Sequence, residues 1–131
     1  MAITKDSSRQ EVIVARVVAS VGSSGDISAQ DTYPAIEMPA NSIVVGGYFN
    51  VTDATSSSVD FNVGDGGSST RYISAADGAA TGVTALTITG YKYTSIDTID
   101  INVSTATPSA TGEVELVVMY VIENRSAFAQ G

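Results

Sequence analysis

Cysteine, histidine and tryptophan are all missing from this sequence of 131 residues. Without cysteine there is no disulfide framework, no thiolate zinc site, no iron–sulfur cluster and no thiol nucleophile. Without histidine the chain lacks the commonest metal ligand and the commonest general base near neutral pH, so a Ser-His-Asp triad cannot be built. We therefore expect a protein that is not an enzyme and that has no cofactor.

Positive charge is scarce too, because 6 basic residues stand against 14 acidic ones and the net charge is −8. Such a chain repels phosphate backbones. No apolar run approaches the roughly 20 residues that span a membrane. Residues 1–10 lack the apolar stretch of a secretory signal. We expect no nucleic-acid partner and no membrane, in a protein made in soluble form.

Charged residues of either sign make up only 15% of the chain, and the mean hydropathy is +0.18. The surface of a soluble monomer usually carries nearer a quarter charged residues. The final apolar segment, residues 113–122, alternates at first and then becomes apolar on both faces, which is typical of a central or covered strand. Low charge and this segment together predict that neighbouring copies or partners bury part of the outer surface.

What the chain does contain is short β-branched and alternating segments separated by polar turns. The expected strands are residues 11–19, 32–38, 42–51, 58–63, 84–89, 98–103 and 113–122. Alternation with period two turns one set of side chains inward: Phe61, Leu86, Ile88, Ile99, Ile101 and Val103. Pro34 marks an edge strand, and the pair Gly46-Gly47 indicates a bulge or a close backbone approach. The one helical candidate is residues 74–80.

This pattern predicts an all-β fold, an antiparallel β-sandwich of about seven or eight strands, either a jelly roll or a related Greek key. One domain would cover residues 11–124. Residues 1–10 would form an N-terminal arm and residues 125–131 a C-terminal tail.

Acidic residues offer two candidate sites, each with a simpler interpretation. Asp60, Asp65 and Asp77 flank a glycine-rich loop and could bind calcium through oxygen atoms, but aspartate and glycine are also ordinary turn residues. Glu113 and Glu115 share a strand face and could act as an acid/base pair, but that face is most simply solvated.

Tyrosine and arginine offer a candidate interface. Tyr91, Lys92 and Tyr93 form an aromatic and cationic cluster that fits either an interaction surface or a partly buried strand end. Each arginine is expected to pair with a carboxylate, and Arg16 could do so across an interface. The candidate interface residues are Arg16, Tyr91, Lys92, Tyr93, Arg125 and Phe128.

Three segments resemble small virion proteins of tailed bacteriophages. Residues 38–47 (MPANSIVVGG) are similar to the segment that enters a strand in those proteins, and residues 63–65 leading to 71–78 (RYISAADG) are similar to the next stretch of their chains. Residues 112–121 resemble their last strand. The resemblance implies a head decoration (cement) protein with a β-sandwich fold. Such a protein would sit on the capsid surface as a homo-oligomer, expected to be a trimer, with the major capsid protein as partner.

A virion protein of this kind would be made in the host cytoplasm, and its two ends would be arms that order on the capsid. The alternative hypothesis is a carbohydrate- or receptor-binding module of a phage tail, fibre or surface structure. Jelly rolls often bind sugars through loops, with aromatic rings stacked on the sugar faces.

Overall fold

The computed structural model of the chain describes residues 10–56 and 59–123. These residues form nine strands: β1 (Ile13–Val21), β2 (Thr32–Met38), β3 (Ser42–Asp53), β4 (Asp60–Gly64), β5 (Ile73–Asp77), β6 (Gly82–Ala85), β7 (Lys92–Tyr93), β8 (Asp97–Ser104) and β9 (Gly112–Ile122). None of the described segments is a helix of the length and apolar character that crossing a membrane requires.

The strands form two antiparallel sheets. The first has the order β1-β9-β3-β6, with the short β7 also paired to β3, and the second has the order β2-β8-β4-β5. The pairs β1·β9, β2·β8, β3·β6 and β4·β5 are those made when one long antiparallel ribbon is rolled up on itself. This is the strand arrangement of a jelly roll, so the predicted fold class is confirmed.

The core lies between the two sheets. Phe49 on β3 and Phe61 on β4 meet there with ring centroids 5.2 Å apart. Burial confirms most of the predicted inward residues, namely Phe61, Leu86, Ile99, Ile101 and Val103. β9 lies between β1 and β3, which explains why its sequence is apolar on both faces.

The prediction for residues 84–89 is wrong in part. β6 ends at Ala85, and Ile88 is 49% exposed instead of facing the core. The Leu86 N–H still donates to the carbonyl of Gly47, but the next N–H, that of Thr87, donates to the carbonyl of Tyr72. The chain therefore leaves the first sheet after Leu86 and crosses toward the second, which ends the alternation.

The predicted helical turn at residues 74–80 is also wrong, because residues 73–77 form β5. Ala76 is buried opposite Phe61 of β4, and Ala75 has a φ of 61°. A single turn leaves its backbone groups without partners, whereas pairing with β4 satisfies them. With the two-residue β7, the described strands number nine where seven or eight were expected.

Two local predictions are confirmed. β2 with its Pro34 lies at an edge of the second sheet. The ladder of β3 with β9 shifts register between Val44 and Gly46, which is the bulge expected at the glycine pair. Gly47 has a φ of 132°, and a Cβ built there would lie 2.2 Å from the Val117 carbonyl oxygen, so this position requires glycine.

Candidate interaction surfaces

The outer face of the first sheet is mostly apolar. We call it the apolar face, and it is formed by the outward side chains of β1, β9, β3 and β6. Val14 is 60% exposed, Val18 is 41% exposed and Val83 is 63% exposed. Scattered apolar side chains are normal on a surface, but a sheet face with three exposed valines is the kind of patch that partners cover.

A single ion pair interrupts the apolar face among the described residues. Arg16 on β1 donates through Nε to Glu115 on β9, with the two atoms 2.5 Å apart. This hydrogen bond lowers the pKa of Glu115. Glu115 is covered instead of solvated, contrary to the sequence expectation, whereas Glu113 is exposed as expected. Arg16 does pair with a carboxylate, and its side chain stays 61% exposed, so a partner can reach it.

The outer face of the second sheet is polar, and its side chains bond to one another. Asn62 donates to Asn102 over 2.9 Å, and Asn102 in turn donates to the Thr32 hydroxyl over 2.8 Å. Thr98 donates to Asp100 over 2.6 Å. Because these groups satisfy each other, this face needs no partner, and the two outer faces of the sandwich differ in kind.

A polar group that is buried at Asp65, Tyr72 and Tyr93 joins the loop between β4 and β5 to β7. We call it the tyrosine–aspartate cluster, and it comprises Asp65, Arg71, Tyr72, Tyr91 and Tyr93. The Tyr93 hydroxyl donates to Asp65 over 2.8 Å and lies 2.7 Å from the Tyr72 hydroxyl. Since Tyr93 donates to the carboxylate, its oxygen accepts from Tyr72. Arg71 donates to both oxygens of Asp65. The carboxylate thus ties the loop after β4 to β7.

Electrostatics keep Asp65 ionised and Tyr93 neutral. Burial raises the pKa of Asp65, but hydrogen bonds from Arg71, Tyr93 and the backbone N–H groups of Ser68 and Gly67 outweigh it and hold the pKa below 3.8. Burial raises the pKa of Tyr93 far above 10.0, and its hydrogen bonds to Tyr72 and Asp65 raise it further. The cluster therefore holds one negative charge that Arg71 balances.

The three consecutive residues singled out from the sequence, Tyr91, Lys92 and Tyr93, have different environments. Tyr91 is 40% exposed, packs edge-on against Tyr93 at 5.0 Å and lies under the Arg71 guanidinium at 3.7 Å. Lys92 is exposed and bonds to Glu123 over 2.8 Å. Tyr93 is 1% exposed and supports Tyr91 from the interior. Tyr91 and Lys92 are thus the two of these residues that a partner can reach.

The other two interface candidates, Arg125 and Phe128, lie outside the described residues, as do most of the predicted N-terminal arm and the whole C-terminal tail. Sequence reasoning missed the pairing of Asp65 with Arg71, although arginine is scarce and each one was expected to meet a carboxylate. The spacing of six residues across a glycine-rich loop was the available signal.

The calcium interpretation does not fit the geometry. Both oxygens of Asp65 accept hydrogen bonds from Arg71, and N–H groups of Gly67 and Ser68 occupy one of them further. Asp60 and Asp77 face each other across the β4–β5 ladder. Within residues 10–56 and 59–123, no three acidic side chains converge as a metal site requires. We therefore interpret the glycine-rich loop as a turn in which Asp65 accepts hydrogen bonds from Gly67 and Ser68.

Comparison with solved structures gives matches over almost the whole chain. A chain of the capsid asymmetric unit of cyanophage Pam1 is 27% identical, with a TM-score of 0.65, over 93% of this chain and 92% of that one. A chain of the capsid of Ralstonia phage GP4 is 18% identical, with a TM-score of 0.68, over 95% and 92% of the two chains. The structural relatives of this chain are components of phage capsids.

A third capsid structure, the acid-stable capsid of Helicobacter pylori bacteriophage KHP30, contains a chain that is 16% identical with a TM-score of 0.60, over 86% of this chain and 93% of that one. No protein-family model and no curated protein matches the sequence. The resemblance to phage virion proteins that the three sequence segments carried is confirmed by these structural matches.

Proposed function

We propose that this protein is a decoration (cement) protein, a structural component that binds the outer surface of a phage capsid and braces the shell. The match to the cyanophage capsid chain carries the proposal, because it combines the whole fold with 27% identity over 93% of the chain. The partner would be the major capsid protein. The location would be the capsid surface, after synthesis in the host cytoplasm.

The apolar face is the surface that we assign to shell contact. Val14, Val18 and Val83 offer area whose burial is favourable, at roughly 25 cal/mol per Å² of apolar surface. The opposite face, with Asn62, Asn102 and its other hydrogen-bonded polar groups, is suited to water. A shell-bound subunit would thus have one face on the shell and the other toward solvent.

A non-catalytic role agrees with how the polar side chains are used. The tyrosine–aspartate cluster is the most elaborate polar group of the described residues, and its carboxylate and two buried hydroxyls bond to one another. Because these three groups hydrogen-bond to one another, they stabilise the fold and are not available to act on a substrate.

Shell binding is tested with shells of the major capsid protein encoded in the same genome, mixed with the purified chain and sedimented. We expect the chain to sediment with the shells and to raise the temperature at which they disassemble. Val83→Asp on the apolar face should weaken binding by about tenfold or more, because a charge would be buried there. Ser74→Asp is the matched control, because Ser74 is an exposed residue of β5 in the second sheet.

The outcome that contradicts the proposal is a folded chain that stays in the supernatant with intact shells. Equal losses of binding for Val83→Asp and Ser74→Asp would instead refute the assignment of the apolar face. The number of copies that we propose is three, in line with the family resemblance. Native mass spectrometry of the free protein and of protein released from shells measures that number, and a mass of three chains or of two joined trimers is expected.

A carbohydrate-binding module is the second candidate, and the exposed, firmly held ring of Tyr91 favours it. Tyr91 is fixed between Arg71 and Tyr93, as a sugar-stacking ring would need to be. Clear binding on a glycan array that Tyr91→Ala abolishes would support this role, and an array without hits would remove it.

A further inference from the structure

The four sheet edges of the sandwich are not alike. β2 carries Pro34 and a register shift, β5 is five residues long with a left-handed Ala75, and β6 is four residues long and starts at Gly82. Short strands, proline and irregular backbone are the features that keep an edge from pairing with another chain. The fourth edge, β1, has none of these features.

β1 is nine residues long and pairs with β9 one for one along its whole length. At its end, both the N–H and the C=O of Ser20 bond away from β9, to the segment at Asp26 and Ile27. Backbone direction alternates along a strand. The N–H and C=O of Val14, Arg16 and Val18 therefore point to the same open side, where no described residue bonds to them.

Side chains along β1 are incompletely covered in the same region. Ile13, Ala15, Val17 and Ala19 face the core but are only half buried. A cleft of about 310 Å³ opens beside Val17 and Ala19, between β1 and β2. Among residues 12–19 the only charged side chain is Arg16, in a chain with a net charge of −8. Two acidic copies repel each other over most of their surface but not along this strand.

We propose that β1 is the edge through which two copies of this chain pair, antiparallel, across a two-fold axis, so that their first sheets become one continuous sheet. The inference rests on the self-association that the proposed function includes, and it names the surface. It is independent of shell binding. In a trimer, this two-fold contact would join one trimer to the next.

Charge excludes one register of this pairing. A two-fold axis at Arg16 would place the two guanidinium groups opposite each other, which is unfavourable. An axis at Ala15 places Val14 opposite Arg16 of the second copy and Val12 opposite Val18 of the second copy. In that register the outward backbone groups of Val14 and Arg16 bond to each other, and Ala15 faces itself.

The absence of cysteine allows a direct test with single thiols. In the proposed register the two Ala15 residues form a non-hydrogen-bonded antiparallel pair. The Cα atoms of such a pair are about 4.5 Å apart, a distance that a disulfide can bridge. Under mild oxidation Ala15→Cys should give disulfide-linked dimer at least about tenfold above Ala19→Cys. Ala19→Cys is the matched control, since it lies on the same strand and face with its symmetry mate about 27 Å away. Equal or lower linkage at position 15 would overturn the proposal.

A second variant removes the backbone donor. Val14→Pro deletes an N–H that bonds to nothing within the described chain, so an edge position of this kind should accept it. Native mass spectrometry should show assemblies with an even number of chains for the wild type and half that mass for Val14→Pro. Unchanged mass would contradict the inference. Failure of shell binding alone, with linkage at position 15 retained, would refute the proposed function and leave this inference standing.

Discussion

The two sides of the sandwich close the space between the sheets in different ways. On the β5/β6 side, the chain crosses from the first sheet toward the second after Leu86. On the same side, Asp65 accepts hydrogen bonds from Arg71 and Tyr93. On the β1/β2 side, a regular strand stands beside an open cleft. Within residues 10–56 and 59–123, the chain itself completes the first of these sides and leaves the second open.

We infer that the β5/β6 side contributes mainly to stability and the β1/β2 side mainly to association. Buried groups that bond within one chain make that side costly to disturb. An open strand with half-buried apolar side chains costs the folded monomer little when it changes, but it governs what a second chain can bury there. Substitutions on the two sides should therefore separate unfolding free energy from association.

The largest expected effect is that of Gly47→Ala. Its φ of 132° and the collision of a Cβ with the Val117 carbonyl should lower the free energy of unfolding by about 3–5 kcal/mol. Gly46→Ala is the matched control, because its Cβ meets the flexible end of Met119 and should cost less than about 1 kcal/mol. Denaturant unfolding measures both. If Gly47→Ala lowered the free energy of unfolding as little as Gly46→Ala, the bulge would tolerate a Cβ atom at either position.

Asp65→Asn is expected to come next, with a loss of about 2–4 kcal/mol, because the charge on Arg71 loses its partner. Arg71 can still reach water, which places the loss below that of a fully enclosed pair. Denaturant unfolding at neutral pH checks the value. A variant as stable as the wild type would show that the tyrosine–aspartate cluster does not hold this side closed.

Asp65 also predicts an acid response. Its pKa is lowered in the folded state, so its contribution is fully present above the ordinary value of 3.8 and is lost as pH falls through the folded pKa. Burial raises the pKa of Asp100, so that group acts in the opposite direction and ceases to destabilise the fold on acidification. The fall in stability below pH 3.8 should be shallower in Asp65→Asn than in the wild type.

Tyr93→Phe should cost about 1–2 kcal/mol, since the hydroxyl group takes part in two buried hydrogen bonds. Tyr91→Phe keeps the ring that Arg71 covers and should change stability little. Thermal melting of the two variants compares them directly. A larger loss for Tyr91→Phe would mean that its hydroxyl, and not that of Tyr93, matters for this side.

The smallest effect on folding is expected for Val14→Thr on the open side. Val14 is 60% exposed, and surface changes of this kind usually stay within about 0.5 kcal/mol. Association should respond more strongly than folding, because the side chain lies on the proposed pairing edge. Sedimentation velocity and denaturant unfolding of the same sample test this separation. A folding loss without any change in association would reverse the assignment of the two sides.

How far the sequence was informative depended on whether a feature was local. Alternation along residues 98–103 and the apolar segment at residues 113–122 predicted β8 and β9, and Pro34 predicted an edge. The same alternation failed at Ile88, because the carbonyl of Tyr72, distant in sequence, takes the next backbone hydrogen bond. The bulge at Gly46-Gly47 was predictable because a positive φ or a close backbone approach requires glycine, so the residue type itself indicates the local conformation.

Composition and period-two alternation were enough to predict the all-β class, the inward residues of most strands and the lack of histidine and cysteine chemistry, because both can be read without knowing which strands are neighbours. Three features required the folded chain: Asp65 meets Arg71 and Tyr93, one outer face is apolar and the other polar, and β1 is an edge strand that the described residues leave open. Those features depend on which strands lie side by side in the rolled ribbon. Contacts between residues far apart in sequence determine that pairing.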